Sequence, residues 1–270
     1  MPPEMLQTYV SSVPELANLR DIGGYPVGKQ NSIRKGVVYR GPALLSPESI
    51  GAVHSLGVTV IFDLRSQQQI DRQGGHHGLD GIRRVWSPIF GPEEYTPERA
   101  ALRYAQYSAP GTKDIVDAFS DILESGTESF RCIMLHIASL IQPSSDLPIP
   151  AFLVHCTTGN NRTGVFIGIL QALLGADHQL VAEEYALSQT GLAASRPAAI
   201  ARLTKIAPIF AGEGGRKRCE RMVGARAESM IAMLEMVRGR WGSVEGYARN
   251  LCKLSKEDID KVRQVLIAEA

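Results

Sequence analysis

The chain has 270 residues, of which 44% are apolar, and a formal net charge of +1. This apolar content can supply a sizeable core and excludes a disordered, low-complexity protein. The nearly neutral charge gives no global field that would attract nucleic acid or an anionic membrane. With no apolar run of about 20 residues and no signal-peptide pattern at the start, the sequence predicts a cytoplasmic protein without integral membrane association.

The first half of the chain alternates short apolar runs with polar segments. The runs predict three strands, near 35–40, 58–64 and 82–86. Ser46 followed by Pro47 predicts a helix start between the first two strands, because serine caps a helix and proline fits its first turn. Residues 87–111 are rich in Pro, Gly and Tyr, which favours a long irregular loop with one helical turn.

The second half is predicted to be mainly helical around one further strand at 151–154. Residues 112–142 indicate two helices broken near Gly126, from the spacing of their apolar residues. Later helices are expected near 178–190, 198–210 and 219–239, with a basic turn at 212–218. A capping box from Ser255 to Asp258 predicts the start of the last helix.

These elements predict an α/β fold with a central, mostly parallel sheet flanked by helices and with extra helices toward the C-terminus. We expect a single domain over residues 1–270. Its core would span about 15–250, with an N-terminal extension over 1–14 and a C-terminal helix over 251–270. The four cysteines have neither metal-ligand nor redox spacing, and Cys132 is expected to be a buried structural thiol.

The segment from His155 to Gly164 is the most informative part of the sequence. It lies between an apolar strand and an apolar helix, so backbone N–H groups and a helix N-terminus would surround one point and bind an anion there. Cys156 lies at that point, and nearby cations and a helix N-terminus favour its thiolate. Arg162 offers a planar fork for two phosphate oxygens, and Thr163 could donate to the sulfur.

This arrangement predicts a cysteine-dependent phosphatase that forms a cysteinyl-phosphate and needs no metal or cofactor. Its substrate would be a phosphorylated protein or a small-molecule phosphate, and the oligomeric state is left open. The residues predicted to bind substrate are Thr157, Thr158, Gly159, Asn160, Asn161, Arg65 and Asp21. Two of these have alternatives, since Asp21 could brace the loop with Arg20, and Arg65 could pair with Asp63.

Several ordered motifs support this interpretation. They are the segments 18–24, 38–41 and 61–66, the reactive loop, and the glycine-containing segment 242–247. Together they resemble the tyrosine/serine phosphatase-like family of bacteria and fungi, within the cysteine-dependent tyrosine-phosphatase superfamily. The resemblance implies a tyrosine-phosphatase-like fold and the hydrolysis of phosphate monoesters.

The loop departs from the bacterial pattern at Asn160 and Asn161, where those members carry Lys-Asp. Loss of the lysine disfavours polyanionic substrates, and loss of the aspartate removes an acid worth about 10²–10⁴-fold in rate. Aryl phosphates would suffer least, because a phenolate leaves without a proton. Asp63, at the end of a predicted strand, is the first candidate for a replacement acid, and Glu93 and Glu94 are further candidates.

Two other functions remain open at this stage. The protein could be a catalytically weak, anion-binding pseudophosphatase, since the loop lacks its acid. It could also be a biosynthetic enzyme that uses the thiolate and the anion pocket on a substrate other than a phosphate monoester.

Overall fold

A computed structural model describes residues 16–75, 81–141 and 148–269. The strands are β1 (Arg20–Asp21), β2 (Pro26–Val27), β3 (Asn31–Ile33), β4 (Val38–Gly41), β5 (Val58–Asp63), β6 (Arg83–Trp86), β7 (Ala151–His155) and β8 (Ile267–Glu269). The predicted N-terminal extension, 1–14, lies outside the described residues.

Five strands form the central sheet in the order β1-β4-β7-β5-β6. Strands β4, β7, β5 and β6 run parallel to one another, and β1 is antiparallel to β4. This confirms the prediction of a mostly parallel sheet. Strand β7 lies in the middle, and all five of its residues are buried. Since ligands of such sheets bind at the carboxyl ends of the strands, the segment that follows β7 is well placed for a site.

Helices cover the sheet and continue beyond it. They are α1 (Pro47–Ser55), α2 (Gln67–Arg72), α3 (Pro97–Ser108), α4 (Lys113–Ser125), α5 (Thr127–Ser139), α6 (Asn161–Leu174), α7 (His178–Ala186), α8 (Ser188–Gly191), α9 (Arg196–Ile206), α10 (Gly215–Met222), α11 (Ala227–Trp241), α12 (Val244–Asn250) and α13 (Lys256–Leu266). Within the described ranges, no helix has the length and apolar content needed to cross a bilayer.

Local sequence signals account for several of these boundaries. Ser46 caps the start of α1 and Ser255 forms the capping box of α13, as predicted; Ser46 also forms a capping box, with Ser49, which was not predicted. The break at Gly126 separates α4 from α5, and a Cβ there would lie 2.6 Å from the carbonyl oxygen of Ile122. The change of direction from α4 to α5 at this position therefore requires glycine, which has no side chain.

Other predictions were wrong. Helix α3 occupies much of the segment 87–111, where a loop was expected. Only Tyr107 and Ser108 of this helix are buried, so it contributes little to the core and its sequence is largely polar. The helix expected over 219–239 is two helices, and the expected basic turn is partly helical because α10 begins at Gly215. Cys132 is exposed.

A second sheet was not expected at all. Strands β2, β3 and β8 form an antiparallel three-stranded sheet, with Asn31 opposite Glu269. The predicted C-terminal helix over 251–270 therefore spans only Lys256–Leu266 and is followed by a strand. A three-residue strand is too short for an alternating pattern to mark it.

Candidate active site

Cys156 lies directly after β7 and is buried, with 2% of its surface exposed. Burial alone would raise the pKa of its thiol. The charge of Arg162, the hydroxyl of Thr163 and the backbone N–H groups of Thr163 and Thr158 outweigh burial, so the pKa is lowered. The structure thus brings together the three loop residues that the sequence assigned to catalysis, and it favours the thiolate.

The backbone of the reactive loop is held from behind through its carbonyl groups. Asn18 Nδ2 donates to the carbonyl oxygen of Thr158 (2.8 Å), and Arg40 Nη2 donates to that of Gly159 (2.6 Å). The same guanidinium nitrogen lies 3.3 Å from the carbonyl oxygen of Asn160. With these oxygens bound behind the loop, backbone N–H groups are left to face the sulfur, as in other anion-binding loops.

Two glycines make this loop geometry possible. Gly159 has φ +68°, and a Cβ on it would lie 2.3 Å from the carbonyl oxygen of Gly41. A Cβ on Gly164 would lie 2.7 Å from the ring of Tyr185. Larger residues at either position would therefore push the loop out of place.

A buried ion cluster lies behind the loop. Glu184 on α7 pairs with Arg20 Nε (2.7 Å) and Arg40 Nη1 (2.6 Å), and all three side chains are at most 2% exposed. Burial would raise the pKa of Glu184, but the two arginines lower it. The sequence analysis missed Glu184, because one carboxylate within a helix has no distinguishing pattern.

Asp21 has a different role from either one predicted. Its oxygens accept from the backbone N–H groups of Gly23 (2.8 Å) and Gly36 (2.6 Å). It neither pairs with Arg20 nor lines the pocket described below, so the structure does not support a substrate contact. Asp21 instead ties the backbone just after β1 to the backbone just before β4.

Arg162 occupies the opposite, pocket-facing side of the loop. Nη1 donates to the carbonyl oxygen of Leu64 (3.3 Å) and to Gln69 Oε1, and Nη2 donates to Thr157 Oγ1 (3.3 Å). All of these acceptors are neutral. The guanidinium is therefore positioned by hydrogen bonds while its charge remains available to an anion.

Both oxygens of Asp63 are bound by cations. Arg65 donates to them through Nε (2.9 Å) and Nη2 (2.7 Å), and Arg84 Nη2 adds a contact of 2.8 Å. Burial would raise the pKa of Asp63, but His155, Arg65 and Arg84 hold it well below its usual range. Such a carboxylate has no proton to give, so the structure does not support Asp63 as general acid. Arg65 therefore pairs with Asp63, the alternative named in the sequence analysis, and does not line the pocket.

His155 helps to fix the residue that follows it. Its Nδ1 lies 3.0 Å from the carbonyl oxygen of Cys156, and Nε2 lies 3.7 Å from Asp63 Oδ1. Burial lowers the pKa of the imidazole. A neutral, hydrogen-bonded ring serves to order the start of the reactive loop.

The two asparagines of the loop point to different partners. Asn160 is buried and donates through Nδ2 to the carbonyl oxygen of Gly224 (3.0 Å), so it anchors the loop to the segment before α11. Asn161 lines the pocket, and its Oδ1 accepts from the hydroxyl of Tyr185 (3.0 Å). Among the residues that the structure describes, no acceptor binds the Nδ2 group of Asn161, which can therefore donate to a ligand.

The pocket above Cys156 has a volume of about 220 Å³. Four of its lining side chains are aromatic and three are arginines. No carboxylate lines it among the described residues, and Glu93 and Glu94 are not part of the wall. The aromatic side chains are Phe90, Tyr95, Tyr104 and Tyr107. Two of them belong to α3, which the sequence analysis took for a loop.

Two basic residues at the pocket were also missed. Arg103 stacks over the rings of Phe90 (4.8 Å) and Tyr95 (5.1 Å) and donates to the carbonyl oxygen of Glu94, so it mainly holds the wall together. Arg72 lines the pocket from the end of α2 and is exposed. Both residues lie outside any recognised motif, in segments whose packing only the fold reveals.

The sequence model of the tyrosine phosphatase family matches residues 11–268. The chain is 22% identical to the triple specificity protein phosphatase PtpB of Mycobacterium tuberculosis, over 96% of this chain and 99% of that protein. It is 25% identical to a Cupriavidus necator protein named as a tyrosine-protein phosphatase, over 87% and 81% of the two chains. The solved structure of P. aeruginosa TpbA in complex with phosphotyrosine is 16% identical over 73% of this chain and 86% of that chain; its TM-score of 0.29 is too low to compare the folds.

Proposed function

The chain belongs to the tyrosine phosphatase family and is a phosphoric monoester hydrolase, and we propose that it cleaves phosphotyrosine or other aryl phosphates through a cysteinyl-phosphate. One observation carries the proposal. The buried thiol of Cys156 lies in a pocket with four aromatic side chains, beside Arg162, whose hydrogen-bond acceptors among the described residues are all neutral oxygens. Aromatic walls favour an aryl group above the phosphate.

In the first step, the thiolate of Cys156 attacks phosphorus. The S–P bond forms as the bond between phosphorus and the aryl oxygen breaks, and the electron pair leaves with that oxygen. Arg162 and the loop N–H groups bind the non-bridging oxygens and stabilise the charge of the transition state.

The leaving oxygen meets an amide where a carboxylic acid would be expected. Asn161 Oδ1 is held by Tyr185, so Nδ2 can donate a hydrogen bond to that oxygen but cannot transfer a proton. A phenol has a pKa of about 10, far below that of an aliphatic hydroxyl. A phenolate can therefore leave as an anion and take its proton from water, whereas an alkoxide cannot do so readily.

In the second step, water attacks the phosphorus of the cysteinyl-phosphate and the S–P bond breaks. Inorganic phosphate forms and the thiolate is regenerated. Thr163, whose hydroxyl is buried and has no nitrogen or oxygen partner among the described residues, stabilises the departing sulfur. A cytoplasmic setting would suit this chemistry, because thiols stay reduced there.

A panel of leaving groups tests this proposal. We expect kcat/KM for p-nitrophenyl phosphate and phosphotyrosine to exceed that for phosphoserine by about 10²–10⁴-fold, the range attributed to a general acid. A metal chelator should change neither rate, and Cys156→Ser should abolish turnover. Turnover retained by Cys156→Ser would refute the mechanism, and equal rates for aryl and alkyl phosphates would refute the substrate preference.

Asn161→Asp provides a matched test of the missing acid. It restores a carboxyl group without changing side-chain size, so the gap between aryl and alkyl phosphates should narrow. An unchanged gap would show that the lack of an acid at this position does not set the preference.

The absent carboxylate also favours a second candidate, an anion-binding protein that does not turn over. This candidate predicts saturable phosphate binding without a stoichiometric burst of p-nitrophenol. Rapid-mix kinetics distinguishes the two, because a burst of p-nitrophenol equal to the enzyme concentration shows that every site cleaves its substrate once, which a protein that only binds anions cannot do.

A further inference from the structure

A second cavity, of about 560 Å³, lies far from Cys156. It is larger than the active-site pocket and is formed where the C-terminal end of α6 meets α11, α12 and α13. Three arginines line it, Arg238, Arg249 and Arg263, together with a single carboxylate, that of Glu245. We call this cavity the arginine groove.

The carboxylate of the arginine groove is already engaged. Arg263 Nη2 lies 2.9 Å from Glu245 Oε2, and Arg263 Nε donates to the carbonyl oxygen of Leu173 (3.2 Å). Arg238 and Arg249 are exposed and make no side-chain hydrogen bond or ion pair within the described part of the chain. Two positive charges therefore face one concave surface without compensation.

Some exposed arginines elsewhere have acidic neighbours. Arg216 pairs with Glu220 (3.0 Å), and Arg240, on the same helix as Arg238, pairs with Glu124 (2.7 Å). Others, such as Arg202, are exposed without an acidic partner among the described residues but do not line this cavity. The groove differs in that it brings two unpaired arginines to one concave surface, and a concave surface with an excess of positive charge concentrates the field and attracts counter-ions.

We propose that the arginine groove binds a small organic phosphate with at least two anionic groups. Its volume lies within the range of about 300–1,000 Å³ that is usual for small-molecule sites. Guanidinium groups match the geometry of phosphate oxygens, and His178 also lines the groove. Leu173 and Val244 supply apolar wall for the organic part of the ligand.

This site is separate from the catalytic one. Helix α6 begins beside the reactive loop and has 14 residues, so its two ends lie roughly 20 Å apart at 1.5 Å per residue. A ligand in the groove cannot reach Cys156. Its binding is therefore independent of the proposed hydrolysis.

Calorimetric titration with inorganic pyrophosphate tests the proposal. The Arg162→Met protein is the reference, because it weakens anion binding at the active site. We expect one saturable site in it, and adding Arg238→Met and Arg249→Met should weaken the affinity by about tenfold or more, given the strength of charged hydrogen bonds. Adding Arg202→Met, which removes an exposed charge from α9, should leave the affinity unchanged.

Lack of saturable binding to the Arg162→Met protein would overturn the proposal, as would equal weakening by Arg202→Met. In the enzyme with Arg162 intact, the Arg238→Met/Arg249→Met pair should retain kcat/KM for p-nitrophenyl phosphate. Cys156→Ser should lose turnover but keep pyrophosphate binding at the groove, so failure of the proposed function and failure of this site are distinguishable.

A vesicle assay identifies the source of the phosphate. Co-sedimentation with phosphatidic acid vesicles that pyrophosphate prevents, and that the paired arginine variants lack, would place the anion on a lipid. Pyrophosphate binding without co-sedimentation would support a soluble ligand.

Discussion

Arginine side chains lie on both sides of the reactive loop, but their partners differ. Behind the loop, Arg20 and Arg40 share the carboxylate of Glu184 at 2.7 and 2.6 Å. In front of it, Arg162 is held only by neutral oxygens, those of Leu64, Gln69 and Thr157. All of these contacts are hydrogen bonds, and only those behind the loop also neutralise charge.

This difference separates structure from chemistry. A buried arginine with a carboxylate partner has its charge satisfied by the protein and can position a backbone. A guanidinium with neutral partners keeps its affinity for an anion. The sequence analysis considered Asp21 and Arg65 as residues that bind substrate, but their partners show that they support the fold.

Breaking the ion cluster behind the loop should cause the largest loss of stability. Glu184→Gln leaves Arg20 and Arg40 buried without a negative partner, so we expect a loss of about 3–5 kcal/mol in the free energy of unfolding. Urea denaturation measures this loss. Exposed Glu220, which pairs with Arg216 at 3.0 Å, provides the control, and an equally small effect of Glu184→Gln and Glu220→Gln would contradict the distinction.

Removing the charge in front of the loop should affect catalysis far more than stability. Arg162→Met should lower kcat for p-nitrophenyl phosphate by about 10²–10³-fold, the usual result of losing one transition-state donor. The free energy of unfolding should change far less than in Glu184→Gln, because the carboxylate pairs behind the loop stay intact and only the attraction between the guanidinium and the Cys156 thiolate is lost. A loss of stability as large as that of Glu184→Gln would show that both arginine sites are structural.

The reactivity of Cys156 should depend on pH in a predictable direction. Because its pKa is lowered, alkylation by iodoacetate should remain fast below the ordinary thiol pKa of about 8.5. Thr163→Val removes a hydroxyl that lowers this pKa, so its alkylation profile should shift to higher pH. Peptide mapping measures the rate, with exposed Cys132 as internal reference; unchanged profiles would exclude a contact between Thr163 and the thiolate.

A smaller loss of activity should follow when the hydrogen bond that orients the amide of Asn161 is removed. Tyr185→Phe removes the hydrogen bond to Asn161 Oδ1, and a bond of this kind contributes about 0.5–1.5 kcal/mol. We expect kcat to fall by roughly 2–10-fold. Tyr247→Phe is the matched control, because the buried hydroxyl of Tyr247 donates to the carbonyl oxygen of Leu123 (2.7 Å), away from the pocket. Equal losses of kcat in both variants would show that Tyr185 has no specific role in catalysis.

Local signals allowed much of this molecule to be predicted from its sequence. The helix caps, the break at Gly126 and the strand before Cys156 each depend on neighbouring residues, and the structure places them as expected. The position of Arg162 relative to Cys156 follows from a short loop and could be predicted for the same reason.

Contacts between distant segments could not be predicted in this way. Glu184 meets Arg20 across 164 positions, and Arg84 meets Asp63 across 21. Whether Asp63 is a proton donor or a fixed anion depends on those partners, so its sequence position at the end of a strand did not decide the matter. The aromatic wall from α3 was missed for the same reason.

The pairing of β3 with β8 has a consequence for how the chain matures. Asn31 of β3 pairs with Glu269 of β8 in this ladder. Strand β3 therefore lacks one neighbour until β8 has emerged from the ribosome. Contacts this remote in sequence slow folding. Newly made chains would therefore expose an open edge near β3 during synthesis, and chaperones that shield such edges should matter more for this protein's yield than for its finished stability.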